Sequence, residues 1–278
     1  MTTAYLHSWI NGEVADSLPL GDRGLHYGDG IFRTLAVHQG QVIWLDAHLD
    51  KLLTDATALG LPVPDRQIIE TELRMAATTA PDAVIKLMLT RISDKRGYGY
   101  GSNSGCRRIM LVSGKPQWPD TFWTQGIAVR WCKTQLALQP KLAGIKHLNR
   151  LEQVMARAEW QDDNIQEGLL CDAQGQVIEG TASNLFVIKN DVLYTPDLAS
   201  SGVAGVSRQT ILQHAGTIMR CEIKPLDRTE CVQADELFLS NALIGIWPVR
   251  SLDKQAFEAG HYSNRLKQLI KHPWITQS

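Results

Sequence analysis

A stretch long enough to cross a bilayer is missing from this sequence. The longest apolar run, ALIGIWPV at 242–249, is far too short, and the opening MTTAYLHSWINGEVAD lacks the basic start and apolar stretch of an export signal. The expectation is a protein neither exported nor embedded, at work in the cytoplasm. An excess of one charge is missing too. The 28 basic and 29 acidic residues give a net charge of −1, so no basic stripe advertises nucleic acid or an anionic membrane as partner. Cysteine is scarce and unpatterned. Cys106, Cys132, Cys171, Cys221 and Cys231 are odd in number and never spaced C-x-x-C, which argues against a disulfide framework and a thiolate zinc site. They read as thiols in a reducing compartment. No HExxH, GxSxG, Walker or GxGxxG motif occurs, and no histidine shares ligand spacing with a carboxylate, so no metal is expected. The lone Gly28-Asp29-Gly30 reads as a tight turn into a strand.

What is present is a globular composition, 44% hydrophobic and 21% charged over 278 residues, enough for one large or two medium domains. Asn11-Gly12 and Gln39-Gly40 between short extended runs predict hairpins. Asp46 is placed to start a helix whose Leu49, Leu52, Leu53, Ala56 and Leu59 recur at helical spacing until Gly60, and a second helix is expected over 66–79. The runs at 83–91 and 107–113 read as buried strands, separated by the loop ISDKRGYGYGSNSGC, long and polar enough to be functional. The Pro- and Trp-rich SGKPQWPDTFWTQG is the best linker. The expected division is a small domain at 1–115, a linker at 116–125 and a larger domain at 126–278. In the larger part a helix over 148–162 is followed by many short strands, which favours a mixed sheet or partial barrel over a doubly wound parallel sheet.

Three features of the second half converge. Lys146, in AGIKHLNRLEQV, stands just before a helical pattern with Ile145 and Leu148 around it, where desolvation could free its amine as a nucleophile. Glu179, in VIEGTASNLFVI, is a carboxylate among apolar strand positions and needs a cationic or protonated partner if buried. SGVAGVSRQTIL carries a glycine-containing loop into a helix at Val206 and Ser207, whose free amides and hydroxyl suit a phosphate; on local sequence Ser207 is equally an ordinary N-cap. An amine, a buried carboxylate and an anion-binding helix start are together what pyridoxal phosphate requires.

The segments DRGLHYGDGIFRT, AGIKHLNRLEQV, EGTASNLFVI, GVSRQTIL and DELFLSNALIGIWPV, in this order across nearly the whole chain, resemble the fold-type IV pyridoxal phosphate enzymes. That group holds branched-chain and D-amino acid aminotransferases and aminodeoxychorismate lyases. AGIKHLNRLEQV and RGYGYGSNSG are most similar to the lyase forms. The fold implied is mixed α+β and α/β, with a small N-terminal α/β domain and a larger C-terminal mixed-sheet pseudo-barrel.

By that resemblance Lys146 would hold pyridoxal 5'-phosphate covalently and serve as general acid and base. Glu179 would pair with the pyridine nitrogen, and Val206, Ser207, Asn241 and Ala242 would form the phosphate cup. Where the family has a phosphate arginine, in the segment matching AHLDKLL, this chain has Lys51, which supplies charge without the planar fork. The reaction implied is elimination with aromatisation, from aminodeoxychorismate to 4-aminobenzoate and pyruvate, a step in folate biosynthesis. Thr34 is a candidate donor to the leaving group or a structural strand residue, and Arg96, Tyr98 and Arg108 are candidate anchors for the two substrate carboxylates. An aminotransferase using the same Lys146 and Glu179 is the runner-up, and a cofactor-free binding protein the remote alternative. The resemblance also implies a homodimer in which a small-domain loop covers the neighbour's site. The tryptophans of GIWPV and QWPDTFW suit such an interface, or else fill the core.

Overall fold

Two-residue turns set the strand registers of the first unit. Asn11 and Gly12 both take positive φ (53° and 87°), so β1 (His7–Ile10) returns as β2 (Glu13–Val14) in a tight hairpin, as the Asn-Gly pair predicts. The computed structural model describes residues 5–102, 104–258 and 260–275. After α1 (Arg23–Tyr27), Gly28 takes φ 63° and ends the helix. The strand β3 (Gly30–His38) then turns through Gln39-Gly40 into β4 (Gln41–Val42), followed by α2 (Leu45–Ala58), α3 (Arg66–Thr78), β5 (Asp82–Ile92) and β6 (Gly105–Gly114). The sheet order is β2-β1-β6-β5-β3-β4, antiparallel throughout.

Strand periodicity sorts this sheet into two faces. Ile31, Leu35 and Val37 of β3, Ile85, Leu87 and Leu89 of β5, and Met110 and Val112 of β6 pack on Leu49, Leu52, Ile69 and Leu73 of the two helices. The opposite face carries Phe32 and Thr34, with Met88 and Lys86 as their cross-strand partners. Asp46 falls in the first turn of α2 rather than before it, because Trp44 in the left-handed region is the cap.

The second unit holds α4 (Thr121–Thr124), β7 (Ile127–Leu136), α5 (Leu151–Arg157), β8 (Glu167–Asp172), β9 (Val177–Gly180), β10 (Asn184–Lys189), β11 (Val192–Pro196), α6 (Val206–Ala215), β12 (Arg220–Lys224), α7 (Arg228–Val232), β13 (Glu236–Asn241), β14 (Gly245–Leu252), β15 (Gln255–Ala256) and α8 (His261–Ile270). Strands β10, β13, β14, β7, β8 and β9 pair in succession. The β9–β10 pairing closes the ring into a six-stranded barrel, with β11 and β12 extending from β10 and β15 from β14. A mixed sheet closed on itself is the architecture expected of the strand-rich half.

The chain divides into Met1–Gln117 with Ile145–Asn149, and Trp118–Gly144 with Arg150–Ser278. One expectation changes here. The stretch expected as linker carries α4 and a buried Trp123, whose indole N–H donates to Ile244 O at 2.8 Å. Of the two readings of the tryptophans, the contacts match the core one: Trp118, Phe122 and Trp123 each meet Trp247 edge to face, with centroids 5.2–5.9 Å apart. All five cysteines are free thiols. Burial pushes Cys106 up to about 11 and Cys132 and Cys231 up to about 12.

Candidate active site

In the first unit Lys146 lies on an extended segment, Ile145–Asn149, that pairs with β3. Phe32 N–H donates to Lys146 O and Leu148 N–H to Gly30 O, both at 2.9 Å, and Ile31 bridges His147. The segment is held there by its apolar residues: Ile145 joins the core, and the Leu148 side chain sits so close to Gly30 that a Cβ there would meet it at 2.8 Å. This pairing explains why the helix expected over 148–162 spans only Leu151–Arg157. The Lys146 carbonyl and the Leu148 N–H bond to β3, which holds the segment extended and overrides the helical spacing of its side chains.

The Lys146 amine stands over the Phe32 ring at 4.6 Å, and Lys86 Nζ lies 5.2 Å from the same ring. Thr34 shares that sheet face, two residues on from Phe32 and opposite Lys86. Lys86 was missed by sequence reasoning. Its signal was register, since a lysine inside an otherwise apolar strand needs a reason to be there.

The Lys146 amide N–H donates to Asp55 Oδ2 at 3.2 Å. The same carboxylate pairs with the Lys51 ammonium and the Arg33 guanidinium. Burial lowers both cations from their ordinary values, with Asp55 opposing that shift in each. Lys51, expected on a phosphate, therefore has its ammonium on Asp55. Arg108, expected as a substrate anchor, is held elsewhere: Nε and Nη2 donate to the two Glu72 carboxylate oxygens at 2.8 and 2.6 Å, on the helix side of the sheet. The bonds to Glu72 raise its already high pKa. Arg96 and Tyr98 are exposed on the long loop. That loop is fastened by Arg23, which donates to the carbonyls of Gly97, Tyr98 and Gly99 at 2.8–3.4 Å, and by Arg91, stacked on Tyr100 at 3.8 Å.

In the second unit Glu179 ends β9 and is 4% exposed. Its Oε2 accepts Val203 N–H at 2.8 Å and its Oε1 accepts Gln153 Nε2 at 3.4 Å. Arg150 lies near enough that Glu179 opposes the lowering of its pKa by burial. Asn184 donates to Val203 O at 2.8 Å and accepts Gly205 N–H at 3.2 Å, so the carboxylate and the loop entering α6 are fixed through Val203. Gly205 is the N-cap of α6 and brings no side-chain cap; a Cβ on it would meet Asn184 Oδ1 at 2.4 Å. Ser207 is therefore not the cap. It lies within the first turn, with its hydroxyl bonded to that of Ser240 at the end of β13.

Asn241 uses its side chain on the following turn. Oδ1 accepts Leu243 and Ile244 N–H at 2.8 and 3.0 Å, and Nδ2 donates to Ala182 O at 3.1 Å. The Ala242 carbonyl engages His272 Nε2 at 3.0 Å. Glu167, also missed, accepts from Gly168, Thr181 and Ala182 N–H and from the hydroxyls of Thr181 and Ser183, which shapes the turn after Glu179.

Among the described residues no cluster could hold a metal ion, and no helix is long and apolar enough to cross a membrane. Residues 30–252 match the model of the amino-transferase class IV family. An aminodeoxychorismate lyase from Vibrio harveyi is 33% identical over 93% of this chain and 97% of its own. The crystal structure of 4-amino-4-deoxychorismate lyase from Pseudomonas aeruginosa superposes with a TM-score of 0.93, at 41% identity over 97% of this chain and 100% of that one. A hypothetical aminotransferase from Mycobacterium tuberculosis, solved in its PLP-bound form, shares the fold at a TM-score of 0.80 and 18% identity, covering 95% of this chain and 97% of that one. With the barrel, the paired lysine segment and these matches together, the chain belongs to the class IV amino-transferase family.

Proposed function

We propose that this protein is a pyridoxal-phosphate-dependent lyase that converts 4-amino-4-deoxychorismate to 4-aminobenzoate and pyruvate. The observation that carries the reading is the 41% identity to the Pseudomonas aeruginosa lyase along its whole length. The donor set suits the cofactor: an amine over an aromatic face, a carboxylate held by N–H donors, and a helix start capped by a glycine that a Cβ would crowd. When bound, pyridoxal phosphate supplies a conjugated acceptor for the electron pair left as the substrate loses a proton.

Lys146 would hold the cofactor through its amine until the substrate's C4 amino group takes its place, and the amine so freed would take the proton from C4 of the substrate. The C3–O bond then breaks, the ring becomes aromatic, and the enolpyruvyl group leaves and is protonated to pyruvate. Thr34 donates toward the departing oxygen. Glu179, its carboxylate fixed by Val203 N–H and Gln153 Nε2, would face the pyridine nitrogen and favour its protonated form. Val206 and Ser207 offer amides and a hydroxyl to the phosphate, and the turn at Asn241 and Ala242 adds to that cup. Lys86, on the face of Phe32 and Thr34, anchors a substrate carboxylate, with Arg96 and Tyr98 as further contacts from the exposed loop. We infer a cytoplasmic homodimer in which that loop serves the neighbouring copy, which light scattering at dilute concentration tests as twice the 30.9 kDa chain mass.

The deciding experiment supplies aminodeoxychorismate and measures 4-aminobenzoate and pyruvate. Stoichiometric appearance of both is expected. Transfer of the amino group to 2-oxoglutarate or pyruvate without elimination would make the protein an aminotransferase instead.

A further inference from the structure

Asp55 stands where a helix would not choose it. It lies in the last turn of α2, where a negative charge opposes the helix dipole, and its Lys51 partner precedes it by four residues, the weaker orientation for such a pair. It is nevertheless 1% exposed and accepts from three donors: the Lys51 ammonium, the Arg33 guanidinium and the Lys146 amide. Arg33, 2% exposed, also donates to Lys51 O at 3.1 Å, while its Nε has no partner among the described residues. Two cations on one carboxylate fix its orientation. Lys51 takes Oδ1, while Oδ2 is shared between the Arg33 guanidinium and the Lys146 N–H.

We propose that Asp55 is a positioning residue for Lys146, clamping the lysine backbone against α2 while β3 holds it from the other side. The lysine carbonyl is on Phe32 N–H and its amide is on Asp55, so the main chain at this residue is fixed at both ends and the side chain starts from one place. The amine then comes to rest over Phe32, on the strand that also carries Arg33. The lysine is set by the first unit even though Gly144 and Arg150 on either side of its segment belong to the second. The proposal rests on Lys146 as the cofactor-bearing amine.

The test compares the parent with Asp55→Asn and with the double variant Arg33→Met and Asp55→Met, which removes the buried pair together and leaves no guanidinium stranded. Hydrogen exchange at 145–149 is followed by mass spectrometry. Retention of pyridoxal phosphate through dialysis and the pH midpoint of its visible absorbance are read in parallel. In the double variant, exchange across 145–149 is expected to rise about fivefold or more, with cofactor retention reduced, the midpoint displaced and barrel peptides unchanged. Asp55→Asn, which keeps an acceptor for the amide, is expected to fall between parent and double variant. Unchanged exchange at 145–149 together with unchanged retention and midpoint in the double variant would overturn the proposal. Borohydride reduction of the parent separates this from the reading beneath it. Labelling of Lys146 leaves the lysine assignment standing whichever way Asp55 behaves, and labelling of a different lysine overturns both.

Discussion

The two units bury their carboxylates by different means, with Asp22 of the first, which also accepts from Gly24 and Leu25 N–H and the Thr90 hydroxyl, using both. In the first, Asp22 is paired with Arg107, Asp29 with Arg23 and Arg91, Asp55 with Arg33 and Lys51, and Glu72 with Arg108. In the second, Glu167, Glu179, Glu236 and Asp172 accept from backbone amides, hydroxyls or the Gln153 side-chain amide. A guanidinium fork ties together segments far apart in sequence and neutralises the charge it holds. An amide cradle orients the carboxylate and adds no full positive charge to offset it. The second arrangement suits a carboxylate that must still act on a cation, which is the role proposed for Glu179.

The sharpest way to break this contrast is at the two proposed reacting groups. Lys146→Ala is expected to lower turnover by at least about 10³-fold, since attachment and proton transfer leave with one amine. A variant with most of its rate and an unaltered visible spectrum would sink the assignment. Glu179→Gln should fold normally and lose about 10–100-fold, the value of a charge-assisted bond that a neutral amide cannot make to a protonated ring nitrogen. Full turnover at every pH would mean that the carboxylate charge at Glu179 has no use.

Stability tests the contrast directly. Arg33→Met strands the Asp55 charge beside Lys51 alone and is expected to cost about 3–5 kcal/mol in urea unfolding. Glu167→Gln, which misplaces some of its donors without stranding an opposite charge, should cost about 1–3 kcal/mol. If the ranking reverses, the distinction between ion-paired and amide-held carboxylates carries no energetic meaning here.

The same contrast explains what the sequence disclosed. Asn-Gly and Gln-Gly turns, apolar alternation and helix stops are local, and they placed the hairpins, α2 and α3 of the first unit and the meander from β8 to β11. Lys146 and Glu179 stood out because their immediate neighbours are apolar. The buried ion pairs did not, because Asp22 and Arg107, or Asp55 and Arg33, look solvent-facing until distant segments meet. Arg108 was partly legible: it alternates with Met110 and Val112, both core residues, so period two already put it on the helix side of the sheet. The shortened α5 was not legible, since the pairing of residues 145–149 with β3 is a long-range event that no helical pattern records.

The smallest predicted effect concerns a cation in the second unit, and it asks whether the preference for backbone partners extends to positive charge. Lys267 of α8 donates to the carbonyl of Trp123 at 2.5 Å, and burial lowers its pKa from the ordinary 10.5 to about 8. Because the folded pKa is depressed for a basic group, the unfolded chain binds more protons between about pH 8 and 10.5, and stability contributed through this residue rises with pH across that window. Below about pH 8 both states hold the proton and the burial penalty is constant. Lys267→Met removes the penalty together with one hydrogen bond, so little net change is expected at pH 7. The difference shows in the slope: the urea midpoint of the parent should climb relative to the variant from pH 8 to pH 10, while groups common to both titrate alike and cancel. Parallel curves for parent and variant would mean that Lys267 keeps its ordinary pKa and that the carbonyl of Trp123 holds a fully solvated ammonium.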